Sequence, residues 1–367
     1  MVDLNQSVLN EIGLSVIPTV DGWKIQWQCK LVDINQYSIW CEQLAGKKLI
    51  EPLKLSVSSA LDTQSIDLSF SMLQAASGIY VDVYAHPVFA FVDHNAVDQV
   101  LRIAPRPLPM SVTSNFRDYG GQLTKQGKQV VWGKLFRTGH MAEMSEADKQ
   151  ALLQLNIQTI CDFRSDEEVN RQPSQLPSHL IPTAIAVAPG SAANLFSAIN
   201  DEHIDEKTID VFMQEINRDL VNSHQSSYRQ MFNVLIEQAE SSSIIHCSAG
   251  KDRTGFAGLL VLAALGVELE AIMSDYLRTN EYLDITKEVD RWAVSHDRAA
   301  SALHNGEPIK PINRKALALI LKVKRSYLQA AIDTMDSQYG GIDNYLRTQM
   351  ALTDNDFAIL KQHYLYS

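Results

Sequence analysis

The 367-residue sequence predicts an α/β fold, a sheet flanked by helices, preceded by a small all-β sandwich. Three observations lead there. From about residue 110 onward, short apolar runs of strand length alternate with longer stretches of helical period. Before residue 104 the periodicity is closer to two. Between them lies the Pro-rich stretch Ala104-Pro105-Arg106-Pro107-Leu108-Pro109, which reads as a stiff linker or as the first segment of the second unit.

The N-terminal elements come first. Trp23-Lys24-Ile25-Gln26-Trp27-Gln28-Cys29 alternates large apolar and polar residues. Leu53 to Val57, Ser65 to Phe70 and Ile79 to Tyr84 do so less cleanly, and Asp21-Gly22 and Ser77-Gly78 are turn signals between strands. Several short strands at this spacing suggest an immunoglobulin- or fibronectin-like sandwich. The expected division is a β-rich accessory domain over 1–104, a linker over 105–111 and a second domain over 112–367.

In the second domain Val130 to Trp132 and Lys134 to Arg137 read as strands. Ser145 with Asp148 three residues on caps a helix that carries Leu152, Leu153 and Leu155. Ile157 to Cys161 and Thr183 to Ala188 read as buried strands. Residues 191–225 are polar and weakly periodic, either covering helices or a mobile lid. Tyr228 to Ala239 is a predicted helix, and 267–365 a run of several helices.

Composition narrows the function. With 46% hydrophobic and 20% charged residues, the chain resembles an ordinary globular protein. Its net charge of −11, with no basic stripe, argues against nucleic acid and against general adhesion to anionic membranes. No apolar run approaches the roughly 18–20 residues of a membrane span. Met1 to Gly13 lacks the pattern of a signal peptide, so a cytoplasmic location is expected, with specialised export leaving no readable trace. The four cysteines, Cys29, Cys41, Cys161 and Cys247, form no closely spaced ligand pair. There is no HExxH-type stretch, so neither metal nor cofactor is expected.

The most informative segment is His246-Cys247-Ser248-Ala249-Gly250-Lys251-Asp252-Arg253-Thr254-Gly255. Ile244-Ile245 before it reads as the end of a buried strand, and the small apolar run from Thr254 to Leu265 as a buried helix. Cys247 thus sits on a loop feeding a helix N-terminus, where free N–H groups and a positive dipole favour an anion and a thiolate. Arg253 can clamp two oxygens of a tetrahedral oxyanion. The reading is phosphoryl transfer: Cys247 attacks phosphorus, and Arg253 and the amides of Ser248 to Arg253 hold the oxygens. Gly250 permits close backbone approach, Thr254 donates to the thiolate, and His246 sets loop geometry.

The leaving oxygen needs a proton. Asp252 is favoured as the acid; Asp162, at the end of a buried strand, is the rival unless it is spent on Arg164 or Arg117. Lys251 is a second cation that would favour an additional phosphate or carboxylate, unless it simply points to solvent.

The loop resembles the phosphate-binding loop of cysteine-dependent tyrosine phosphatases. The likeness extends through Asn115-Phe116-Arg117-Asp118 with Gly120-Gly121, Phe136-Arg137-Thr138-Gly139, Ile160 to Ser165 with Glu168, Asp275 to Asn280, Arg325 to Leu328, and Tyr339-Gly340-Gly341 with Tyr345-Leu346. As a set over roughly 110–367 this is similar to the bacterial atypical tyrosine phosphatases. The resemblance implies a cysteine-phosphatase fold and hydrolysis of phosphotyrosine, with single or dual specificity; in some members it implies phosphoinositides or inositol phosphates. It also supports Asp252 as the acid. Asn115, Arg117, Asp118 and Arg164 are expected to organise the loop from behind. Expected partners are a phosphoprotein or a phosphorylated lipid or inositol, with the accessory domain a candidate docking module. A non-catalytic phosphate binder would have lost Cys247 or Arg253, and both are present.

Overall fold

The computed structural model describes residues 15–26, 37–44, 47–55, 65–77, 85–93, 100–108, 110–111, 113–188, 204–303 and 312–367. The leader reading of Met1 to Gly13, Cys29, the strand over Ile79 to Tyr84 and the first part of the 191–225 segment lie outside the described residues.

The N-terminal strands are β1 (Ser15–Pro18), β2 (Gly22–Gln26), β3 (Tyr37–Leu44), β4 (Lys47–Leu55) and β5 (Ser65–Ser69). Helix α1 (Phe70–Ser77) follows, then β6 (Val88–Asp93) and β7 (Val100–Ile103). They form two antiparallel sheets, β1-β2-β5 and β4-β3-β6-β7. Inward residues alternate as period two requires, and Trp23, Ile25, Cys41, Leu68 and Phe89 share one core. Helix α1 departs from the all-β expectation. Phe70-Ser71-Met72-Leu73-Gln74 contains no breaker, and the helix buries Leu73 against the same core.

The second unit opens with β8 (Arg117–Asp118) and β9 (Leu135–Thr138), followed by α2 (Glu146–Gln154), β10 (Ile157–Asp162), α3 (Asp166–Arg171) and β11 (Thr183–Ala184). Next come α4 (Glu206–Ser223), α5 (Gln225–Glu237), β12 (Ser242–His246) and α6 (Asp252–Leu265). Seven further helices follow: α7 (Leu269–Leu277), α8 (Thr279–Tyr282), α9 (Ile285–Leu303), α10 (Arg314–Leu321), α11 (Arg325–Tyr339), α12 (Ile342–Thr348) and α13 (Asp354–Tyr364). The sheet order is β11-β10-β12-β9-β8, parallel except for β8. This is a mixed α/β architecture.

Local signals explain several elements. Ser145 and Asp148 form the expected capping box on α2, and Ser165 with Glu168 forms another on α3. Residues 130–132 do not form the expected strand. Val130 makes one bridge, to Leu365, and Gly133 at φ 77° turns the chain away at once. The Pro-rich stretch packs on the sheet: Pro107 bridges Arg117, the Leu108 amide donates to Phe116, and Arg106 donates to the carbonyls of Asp118 and Gly120.

Helix α6 is the axis of the larger core. Phe256, Leu259, Leu260, Val261 and Leu262 are all fully buried among residues of α4, α5, α7 and α11–α13. Helices surround it, so it reads apolar all round rather than on one stripe. Glycine permits the closest approach: a Cβ at Gly258 would lie 2.2 Å from the Tyr119 hydroxyl, itself fully buried. Gly258→Ala is therefore expected to destabilise the protein by about 1–3 kcal/mol through overpacking. Adding Tyr119→Phe should recover part of the loss, as read by chemical denaturation.

Candidate active site

Strand β12 lies inside the parallel sheet, and its C-terminal end delivers the chain into the loop 247–251 at the carboxyl edge, where open α/β sheets place their ligand sites. The loop's shape is set from outside. The His140 amide donates to Ser248 O at 2.8 Å. Asn115 Nδ2 donates to Ala249 O and Gly250 O at 3.2 and 2.8 Å. Arg137 Nη2 donates to Gly250 O and Lys251 O at 2.6 and 3.4 Å. A peptide plane carries its N–H opposite its C=O. Carbonyls captured on the outer side therefore turn the amides inward. Gly250 takes φ 66°, and a Cβ there would lie 2.3 Å from Thr138 O.

The groups that capture those carbonyls are held in turn. Asp275, Arg117 and Arg137 form a fully buried triad, with Arg117 Nε to Asp275 Oδ1 at 3.2 Å and Arg137 Nη1 to Oδ2 at 3.1 Å. Burial alone would push the Asp275 carboxyl up. The two guanidiniums outweigh it and hold the group well below the usual carboxylate range. Arg117 also donates to Asn115 Oδ1, fixing the amide that reaches the loop. Asn115 sits at φ 64°, a left-handed conformation that asparagine tolerates better than most residues.

Cys247 is 2% exposed, at the loop's start. Arg253 lies in the first turn of α6. Glu168 takes its Nη1 and Nη2 end-on at 2.7 and 2.9 Å, and Nη1 also reaches the carbonyls of Phe163 and Val187 at 3.2 Å each. The Nε–Nη2 edge is left as the uncommitted fork, suited to two oxygens of one anion. Burial opposes the charge on Arg253, but Cys247 and Glu168 raise its pKa further above the ordinary arginine value. Glu168, despite its burial, is drawn down to about 2 by Arg253 and Ser248. Its Oε1 also accepts the Ser248 hydroxyl. One carboxylate thus ties the first and last donors of the loop.

The two candidate acids stand in different surroundings. Asp162 is paired side-on with Arg164 through contacts of 2.7–3.1 Å, and lies 3.4 Å from His246 Nε2. Burial raises it, but His246 and Arg164 prevail and keep it ionised far below the normal range. Asp252 is freer. Its Oδ2 lies 3.1 Å from Lys251 Nζ, while Oδ1 is buried with no hydrogen-bond partner. His246 is fully buried, with Nδ1 3.3 Å from Cys247 O, a position suited to holding the strand end. Thr254 Oγ1 is also buried without a partner, one turn into the helix.

Two residues stand elsewhere than at the loop rim. Asp118 is turned away from the loop, accepting the amides of Gly120 and Gly133 at 2.7 and 2.5 Å, with His86 Nε2 3.3 Å away. Lys251 does not point to solvent. It is 5% exposed and donates to Ile320 O and Lys322 O at the end of α10. Among the described residues, no group of three or more His, Cys, Asp or Glu is placed to hold a metal ion. No helix among them is long and apolar enough to cross a membrane.

A strand-to-helix loop with a cysteine at its start, inward amides and an oriented arginine is the anion cradle of a cysteine-dependent phosphatase. Comparison with known proteins agrees. The profile of the tyrosine phosphatase family matches residues 108–366. A Cupriavidus necator protein provisionally named a tyrosine-protein phosphatase is 32% identical over 260 residues, covering 70% of this chain and 88% of its own length. The triple specificity protein phosphatase PtpB of Mycobacterium tuberculosis is 29% identical over 256 residues, covering 64% and 90%. A tyrosine-protein phosphatase of Nostoc commune is 24% identical over 216 residues, covering 58% and 68%. The chain belongs to the tyrosine phosphatase family and is a cysteine-type phosphoric monoester hydrolase.

Glu168, Arg137 and Asp275 fall within the blocks that carry the family resemblance, yet sequence reasoning gave them no role. Glu168→Gln should lower kcat/KM for an aryl phosphate by tenfold or more. It replaces a charge-assisted pair, worth about 1.5–3 kcal/mol, with a weaker one. Asp275→Asn leaves two buried guanidiniums without their anion, and should lower unfolding free energy by about 3–5 kcal/mol. Steady-state kinetics and denaturant titration measure these two outcomes.

Proposed function

We propose that Cys247 attacks the phosphorus of a phosphotyrosine-type monoester. The S–P bond forms as the P–O bond to the leaving oxygen breaks, and Asp252 gives that oxygen its proton from Oδ1. Water, deprotonated by the same carboxylate, then attacks the phosphocysteine, releasing phosphate and the thiolate. The Nε–Nη2 edge of Arg253 and the amides of Ser248 to Arg253 hold the three equatorial oxygens, and hold them best as charge develops in the transition state. Thr254 is the donor to the departing thiolate. His246, Asn115, Arg117 and Arg164 position these groups, while Asp118 acts at a distance, through the strand that carries Arg117.

The observation that carries this reading is the uncommitted arginine fork beside a cysteine ringed by inward amides. Asp252 is preferred to Asp162 because a carboxylate paired with Arg164 and His246 has no proton to give. The phosphoinositide or inositol-phosphate alternative rests on the family resemblance and on Lys251 as a second cation for the substrate. With that ammonium buried on helix carbonyls, the second support is lost, and aryl monoesters, with single or dual specificity, are the preferred substrates. The N-terminal sheets are read as an accessory sandwich of immunoglobulin or fibronectin type over 1–104, with 105–111 leading into the catalytic domain over 112–367. Ile17, Val20 and Met72, exposed apolar residues on this unit, support a docking role for a protein partner. A reducing, cytoplasmic setting suits a working thiol.

Cys247→Ser is expected to abolish turnover while orthovanadate still binds, since a hydroxyl is a far poorer nucleophile at neutral pH. Turnover near wild type would remove the cysteine mechanism. Asp252→Asn should slow phenyl phosphate by roughly 10²–10⁴-fold, and p-nitrophenyl phosphate much less. A panel of phosphopeptides and phosphoinositides, compared by kcat/KM, tests the substrate assignment.

A further inference from the structure

Lys251 is the one loop side chain whose charge the proposed chemistry does not use. An ammonium buried next to an anion-binding loop invites the reading of a substrate ligand, but its contacts point elsewhere. Its three donors meet Ile320 O and Lys322 O, the last carbonyls of α10 and its C-cap, and Asp252 Oδ2 at 3.1 Å. The C-terminal end of a helix is the negative end of its dipole and carries unpaired carbonyls, so α10 is a natural seat for a cation. An apolar cluster seals the same junction, where Ala249 of the loop packs with Leu317 and Leu321 of α10 and with Leu283 and Val289. The ammonium is therefore fixed from behind.

We propose that Lys251 is a positioning residue for the proton donor: seated on the end of α10, it holds Asp252 Oδ2 and so assigns the proton to Oδ1. This rests on Asp252 being the acid. The two carboxyl oxygens are unlike. Oδ2 faces a positive charge, which disfavours a proton there, whereas Oδ1 is buried and unpartnered. As the P–O bond breaks, the Oδ1 proton passes to the leaving oxygen. The carboxylate left behind is stabilised by the ammonium already on its other oxygen. When water attacks the phosphocysteine, that same oxygen takes the proton back. The side chain also couples catalysis to α10, because a shift of that helix end would move the seat of the ammonium and, through it, the acid.

The test compares phenyl phosphate, a poor leaving group, with p-nitrophenyl phosphate, a good one. Lys251→Met should lose at least ten times more kcat on phenyl phosphate than on p-nitrophenyl phosphate, with little change in the inhibition constant of orthovanadate. Lys251→Arg, which keeps a cation, should recover much of the difference. In an Asp252→Asn background, Lys251→Met should add no further leaving-group-dependent loss. If Lys251→Met does not fold, Lys251→Gln keeps a donor for the helix carbonyls and takes its place. Equal losses on both substrates, or an undiminished selective loss in the Asp252→Asn background, overturn the proposal. If Asp252→Asn itself slows both substrates alike, the acid assignment fails first and this proposal with it. A selective Asp252→Asn effect beside an unselective Lys251 effect sinks this proposal alone.

Discussion

The site depends on where the carbonyls of the loop 247–251 go. Four consecutive peptides would cradle an anion only with their N–H groups converging, and nothing in a flexible loop compels that. Here the opposite faces of those peptides are committed: Ser248 O to the His140 amide, Ala249 O and Gly250 O to Asn115, Gly250 O and Lys251 O to Arg137. The inward field of amides is the other side of that bonding. Its cost is a buried triad of two arginines and one aspartate, which is stable only while all three remain, since removing one partner strands the charge of the others.

The same logic of double commitment recurs around Cys247. Arg253 is held through one edge of its guanidinium by Glu168, and Asp162 is held by Arg164. Lys251 is withdrawn from substrate by the end of a helix. Each charged group near the loop can thus be sorted by what already occupies it. Asp252 Oδ1 and Thr254 Oγ1 are among the buried atoms left without a partner, and the proposed chemistry gives both of them work.

Much of this was legible in the sequence. The strand, loop and helix around Cys247 follow from a buried apolar pair, a run of loop residues and a small apolar helix, all local signals, and the capping box at Ser145 is equally local. What was not legible depends on distant partners. Glu168 lies far from Arg253 in sequence, and nothing in its own neighbourhood beyond a helix cap shows that it will meet a guanidinium. Lys251 reads as a substrate cation because its sequence neighbours form the anion loop, while the carbonyls that seat it belong to α10. Residues 130–132 have strand composition, but Gly133 turns the chain before a ladder can extend beyond the single bridge at Val130. The strand expected over Ser65 to Phe70 stops at Ser69, and Phe70 opens a helix that the sequence reading did not anticipate, held by Leu73 in the N-terminal core.

Glu168 has a second employment. Its Oε2 accepts the Ser165 amide, closing the N-terminal cap of the six-residue helix α3, while the same atom and its twin hold Arg253. A helix this short has almost no stability of its own and persists through its contacts. The opening free energy of such a segment is therefore small beside that of the core around α6. On warming, α3 is expected to fray before the core around α6 does, and fraying removes the brace from the arginine. The catalytic competence of the molecule is thus less durable than its fold, and heat should inactivate it while the sheet and the central helix are still intact.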